Sequence, residues 1–542
     1  MPVPRGALET AAALRTGELD VRELAERTLE SARGAGQEVG AFAHLLEDLT
    51  REQAQAAAER LEEARRTGTP QQLAAELPLL GVPMPIKDLT QVAGAPFEAG
   101  SAALAGNIAT VTDGVAQKIL DAGTLTVGKT TTPEFGLPAY TEPATGAPAR
   151  TPWDPRRTAG GSSGGAAAAV AAGIVPIAHG SDGGGSVRIP AACCGLVGIK
   201  PSRGAVSPGP YGVEGMGLTT DGVLARSVRD AAAGLDLLAG PRTGDYLPVP
   251  APRQGYLAQL DSEAAGSRSL RIAVLREPLA AETEVHPAAL RGLERALEVL
   301  RGLGHELTEI PAPFAPEDWT AFMPLWTVGA ASIPLDEAQE TKILELTRWL
   351  RERGRTYSGV ELAQAYSGVQ ALARRTLQAL APFDVVISPV LSGPPAFPRI
   401  CSCPTAAPTS TPSEPSPPGP APGTCSEHPR SRCRTIASRS RGSSCPSRCS
   451  SAPPGTARRR SCCPSPRSWR PTTRGRCCPL RSAHERRCER GGGGGAERPA
   501  GHLAVERPAD AHPLGGDRRL PRRARAPQRR PGQGRPEDRG GR

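Results

Sequence analysis

The chain has 542 residues and a formal net charge of +10, but that charge is unevenly spread. Residues 401–542 hold 29 Arg, no Lys and 10 acidic residues, a net +19, which leaves residues 1–400 with 36 basic and 45 acidic residues, a net −9. The basic excess is therefore no sign of nucleic-acid binding by the first 400 residues, and Arg-rich residues 519–535 would hold polyanions only without specificity.

No charged segment followed by an apolar one opens the chain, so a cytoplasmic rather than secreted protein is expected. Residues 7–33 read as helical with a break at Thr16-Gly17, Asp20 and Glu23 supplying a cap for Val21–Ala32. Residues 49–66 form a polar, alanine-rich helix. Leu79–Ile86 reads as a strand that delivers Lys87 at its end, residues 114–122 as a helix, and Thr124–Gly128 as a strand leading to Lys129. The alanine run after Ser163 has strong helix propensity, and Ile174–Ala178 reads as a buried strand. The longest nearly apolar run, Ala166–Ala178, has 13 residues, too few to span a bilayer. Cys193 and Cys194, the only two of 13 cysteines before residue 401, read as small buried side chains in a reducing compartment. Further on come a helix (Ser227–Leu238), a strand (Leu270–Leu275), a helix (Pro287–Leu303), a strand (Glu306–Ile310), helices at 335–352 and 359–381, and a strand (Asp384–Ser388). This alternation predicts an α/β fold with a parallel or mixed sheet.

The most informative stretch runs from Ala159 to Gly204. It holds two glycine-rich serine clusters, Gly160-Gly161-Ser162-Ser163-Gly164-Gly165 and Gly183-Gly184-Gly185-Ser186, with Ser162 and Ser186 24 residues apart. Glycine lets backbone pass close to another group or take positive φ. Two such turns, joined by a helix and a strand, can bring both hydroxyls to one point. With Gly81-Val82-Pro83-Met84-Pro85-Ile86-Lys87-Asp88 upstream, this stretch resembles the amidase signature family, and within it the 6-aminohexanoate cyclic-dimer hydrolases. The resemblance covers roughly residues 5–398. It implies a single large mixed β-sheet flanked by helices, an amide substrate, and a Ser-Ser-Lys triad. Ser186 would be the nucleophile, Ser162 the bridging serine on a cis peptide, and Lys87 the base.

Amide cleavage needs a nucleophile, a base, an acid for the leaving amine and donors for the oxyanion. Lys87 can serve only if burial lowers its pKa by several units, and Asp88 would oppose that if it pointed inward. The backbone N–H groups of Gly183, Gly184, Gly185 and Ser186 are the expected oxyanion donors. Asp182 and Arg188 are expected to brace the turn, Ser163 to support Ser162, and His179 to be a structural hydrogen-bonder rather than a base. A flexible linker or anion cradle would explain the first cluster alone, but not the second cluster or the lysine. The same residues 160–164 match G-x-S-x-G, which would make this a Ser-His-Asp hydrolase with His286 or His305 as partner and leave Gly183–Ser186 unexplained. Two further alternatives are an amidase-type subunit of an amidotransferase and a chain made inactive by loss of its C-terminal part. No metal-ligand cluster, phosphate-binding loop or dinucleotide fingerprint is present, so no cofactor and no metal are expected. The expected partner is a small-molecule amide, with no nucleic acid and no membrane; a homodimer is left open.

After Pro398 the composition changes. Residues 401–542 contain only six residues from Leu, Ile, Val, Phe and Met, too little apolar area to offset ordering entropy, so a disordered tail is predicted over 399–542. Two readings compete: a natural low-complexity tail, and out-of-frame translation of a GC-rich gene. The second is favoured, because residues 1–398 stop before the resembling family's fold, closed by strands from its C-terminal third, would be complete.

Overall fold

A computed structural model describes residues 5–212, 216–262, 268–279 and 283–397. The predicted tail over 399–542 lies outside the described residues. Helix α1 (Ala7–Thr16) and helix α2 (Val21–Arg33) separate where expected. The Asp20 carboxylate accepts the N–H groups of Arg22 and Glu23 at 2.8 and 3.1 Å, which gives α2 two of its four orphan donors a partner. Strand β1 (Phe42–Leu45) and the long helix α3 (Glu47–Thr67) follow.

Proline moves the strands away from their predicted bounds. Of Leu79–Ile86 only Ile86 enters a strand, β2 (Ile86–Lys87); Pro83 and Pro85 have no N–H to donate, and Pro83 meets Leu125 through a single bridge. Past α4 (Gly114–Asp121), the predicted strand Thr124–Gly128 shifts to β3 (Gly128–Thr130). The alanine run forms α5 (Gly164–Ala171), buried almost throughout. The strand expected over Ile174–Ala178 is β4 (Ile177–Asp182), which starts only after Pro176 and continues through His179 to the second glycine cluster. Then come α6 (Arg188–Cys194), β5 (Val197–Ile199), β6 (Thr220–Ala225) and α7 (Val228–Leu238), the last capped by the Ser227 hydroxyl, which accepts the Asp230 N–H at 3.1 Å. The later elements are β7 (Arg271–Val274), α8 (Pro287–Gly302), β8 (Glu306–Glu309), α9 (Phe322–Ala331), α10 (Glu345–Arg355), α11 (Gly359–Leu380) and β9 (Val385–Ile387). The helix expected over 335–352 is two pieces, Glu337–Glu340 and α10.

The strands make three mixed or single-sense ladders, in the orders β1-β3-β2, β4-β6-β5 and β8-β7-β9. Pairing is parallel for β2/β3, β7/β8 and β7/β9 and antiparallel for β1/β3, β4/β6 and β5/β6. The first two ladders meet where the His179 N–H donates to the Pro85 carbonyl at 3.1 Å, so hydrogen bonding runs from β1 through β2 and β4 to β5. Two apolar clusters cover this unit. One is built on α2, α3 and α5, with Leu29, Leu61 and Val170; the other packs α1, α4 and α7 onto β2, β4 and β6 through Met84, Ile119 and Val223. Together they hold β2 and the β4 turn rigidly beside α5.

Candidate active site

Each chemical group enters the site from the end of a regular element. Lys87 is the last residue of β2, Ser162 and Ser163 precede α5, and Ser186 follows the turn after β4. Helix α5 can come this close because its second residue is glycine: a Cβ at Gly165 would lie 2.4 Å from both the Ala41 carbonyl and the Thr131 amide. The Gly161–Ser162 peptide is cis. The two clusters touch through the Ser163 N–H, which donates to the Ser186 carbonyl at 3.1 Å.

Lys87 is fully buried. Its Nζ lies 2.8 Å from Ser162 Oγ, 3.1 Å from Ser181 Oγ and 3.2 Å from the Ser181 carbonyl. Burial pushes the amine down to about 7, against the pull of the Asp182 and Asp221 carboxylates. Asp88, next in sequence, points elsewhere. It pairs with the buried Lys129 at 2.7 Å and also accepts the N–H of Ala99 at 3.0 Å. Ser163 Oγ donates to the same Ser181 carbonyl at 3.3 Å.

Asp182 and Arg188 form an ion pair. Arg188 Nε and Nη2 reach the two carboxylate oxygens at 2.9 and 2.8 Å, a bidentate pair. Burial alone would raise the Asp182 carboxyl, but Arg188 and the N–H groups of Val187 and Gly185 outweigh it and hold it below its usual range. Gly185 departs from its predicted role. Its N–H donates to Asp182 Oδ1 at 2.7 Å, and its φ of +124° suits that turn and no side-chain-bearing residue. It braces the turn instead of facing a substrate. The N–H groups of Gly183, Gly184 and Ser186 have no backbone acceptor among the described residues. A Cβ at Gly183 would lie 3.0 Å from Thr219 Oγ1 and 3.7 Å from the Trp326 ring, so these two side chains border the turn.

His179 is buried and fully bonded, with Nδ1 accepting the Lys87 N–H and Nε2 bonded to Asp221. His286 caps α8 through the Ala288 N–H, and His305 accepts the Leu270 N–H beside β7, so each imidazole is engaged with backbone away from the two serine clusters. Burial raises both the Cys193 and Cys194 thiols, which disfavours the thiolate that would be the reactive form. Sequence reasoning missed Ser181, Asp221, Thr219 and Trp326. Strand alternation could have found Ser181, which shares a face with His179; nothing in the sequence marks the others. Among the described residues no group of three or more His, Cys, Asp or Glu is placed to hold a metal, and no helix is long and apolar enough to cross a membrane.

The sequence profile of the family Amidase matches residues 23–400. A protein of Synechocystis sp. named as an amidase is 36% identical over 393 residues, 71% of this chain and 73% of that protein. A glutamyl-tRNA(Gln) amidotransferase subunit of Chloroflexus aggregans is 41% identical over 305 residues, 56% of this chain and 59% of its own. Among solved structures, that of 6-aminohexanoate cyclic dimer hydrolase with its substrate superposes with a TM-score of 0.63 at 28% identity, covering 71% of this chain and 78% of that one. Buried lysine, paired serine turns and these likenesses agree: the chain belongs to the amidase signature family and is a hydrolase of amide C–N bonds.

Proposed function

We propose that the chain cleaves a carboxylic amide through an acyl-enzyme, with Ser186 as nucleophile, Ser162 as proton relay and Lys87 as base. The observation that carries this reading is the fully buried Lys87 amine 2.8 Å from Ser162 Oγ. A neutral amine has two N–H bonds and one lone pair. Ser181 Oγ and the Ser181 carbonyl take the two donors, which leaves the lone pair to accept from the Ser162 hydroxyl. Ser186 Oγ attacks the carbonyl carbon, its proton moves to Ser162 Oγ, and the Ser162 proton moves to Lys87. The C=O π pair becomes an oxyanion, for which the N–H groups of Gly183, Gly184 and Ser186 are the available donors. Collapse restores the C=O and breaks the C–N bond. The nitrogen keeps the bonding pair and takes a proton from Ser162, which Lys87 reprotonates. Water then attacks the Ser186 ester by the same relay, releasing the acid.

The test is labelling by a fluorophosphonate probe, which should vanish in S186A. Labelling that survives S186A but is lost in H286A or H305A would place the protein with the Ser-His-Asp hydrolases. A second reading, an amidase-type subunit of an amidotransferase, has the 41% identity to a protein of that kind in its favour. Hydrolysis of a free amide by the isolated chain counts against it.

A further inference from the structure

His179 is a buried titratable group that the serine–lysine relay leaves unused. Its Nδ1 accepts the backbone N–H of Lys87 at 3.3 Å. An amide N–H can only donate, so Nδ1 carries no proton; Nε2 carries it and donates to Asp221 Oδ1 at 2.9 Å. Asp221 stands opposite Ser181 in the β4–β6 ladder, diagonal to His179, within reach of a ring. The His179 backbone N–H donates in turn to the Pro85 carbonyl at 3.1 Å. One residue of β4 thus grips the chain on both sides of Ile86, in a strand only two residues long whose neighbour Pro85 has no N–H of its own.

We propose that His179, oriented by Asp221, is a positioning residue for Lys87: the ring holds the lysine's backbone so that its amine meets Ser162. This inference rests on the reading of Lys87 as the base. An aliphatic side chain at 179 would leave the buried Lys87 N–H without an acceptor and free to turn. The charged group bonded to the imidazole is Asp221 from β6, with Asp113 before α4 near enough to interact with His179, Asp221 and Lys129. Asp182 and Asp221 are the carboxylates that favour the charged lysine, so removing one should ease its deprotonation.

The test measures fluorophosphonate labelling rate against pH for the full chain and for H179N, H179L, D221N and K87M, with a melt of each and 15N NMR of the His179 ring. Asn Oδ1 can stand where Nδ1 stood, so H179N should label within about tenfold of the parent. H179L should lose about a hundredfold, the low end of what a placed proton-transfer group supplies. D221N should move the acid limb to lower pH, and the ring should be the Nε2–H tautomer. Equal losses in H179N and H179L with an unmoved pH profile would reduce His179 to packing and overturn the proposal. So would an H179L that labels like the parent while K87M is inert. A K87M that still labels overturns the base reading instead. An Nδ1-protonated ring in the folded parent removes the hydrogen bond itself, a result readable whether or not the chain labels.

Discussion

Lys87 and Asp88 are neighbours with opposite surroundings. Alternation at the end of β2 turns the Lys87 amine toward the serines and the Asp88 carboxylate toward Lys129, so the aspartate that could have kept Lys87 charged is spent elsewhere. Burial therefore prevails and the amine falls to about 7. Activity should rise tenfold per pH unit below about 7 and level off above it, because only the neutral amine can accept a proton. K87R should be inactive, since guanidinium does not deprotonate near neutrality. A flat profile through that range, or near-normal turnover in K87R, would remove the base assignment. The same shift affects stability. Between about pH 7 and the ordinary lysine range the unfolded chain binds a proton that the folded one does not, so stability rises with pH across that window and is least below it, where both states are protonated. Melting temperature against pH should accordingly be flatter in K87M than in the parent.

At the scale of elements, α5 sets how closely the two serine turns approach, and Gly165 sets α5. In G165A the new Cβ would meet the backbone of Ala41 and Thr131 at 2.4 Å, contacts that no side-chain rotation relieves. The helix must shift, carrying Ser162 and Ser163 with it. We expect a loss of about 1–3 kcal/mol, typical of overpacking, together with much slower probe labelling. A variant with an unchanged melt and unchanged labelling would show that α5 has room to spare. The cap of α2 was legible in the sequence because its signal is local: Asp20 bonds amides within three residues. Strand bounds were not, because β2 and β4 begin where proline stops removing donors, and β3 where a partner distant in sequence comes alongside. The same limit governs the site. Lys87, Ser162, Ser163, Ser186, Asp182 and Arg188 sit in recognisable runs; the Lys87 amine meets Ser162 Oγ, the Ser163 N–H meets the Ser186 carbonyl, and Arg188 pairs with Asp182. Ser181 and Asp221 owe their place to β-ladder register, and Gly185 gives its N–H to a carboxylate that no spacing pattern announces.

Across the whole molecule, packing thins toward the last described strands. Among the described residues the third ladder has a buried cluster of Val274, Leu293 and Leu297, where the first two ladders share far larger ones. Strand β9 lies at the edge of that ladder, with Val385 and Val386 41% and 39% exposed; consecutive residues face opposite sides, so both faces of the edge are open among the described residues. Leu377 and Phe397 are also exposed, at 67% and 58%. Burying one large apolar side chain is worth roughly 1.5–3 kcal/mol, and the six Leu, Ile, Val, Phe and Met residues of 401–542 offer little to cover such an edge. The family profile ends at residue 400, where the composition turns to Arg, Pro, Ser and Cys. We read residues 401–542 as the product of a shifted reading frame, which accounts for both the composition and the uncovered strand. The 542-residue chain should then bind an apolar dye, associate in solution, and exchange the amides of β7–β9 much faster than those of β4 and β6. Restoring the frame after about residue 398 should abolish dye binding and slow exchange at β9. A 542-residue chain that is monodisperse, silent to the dye and cooperatively melting would overturn this reading and make residues 401–542 a tolerated extension.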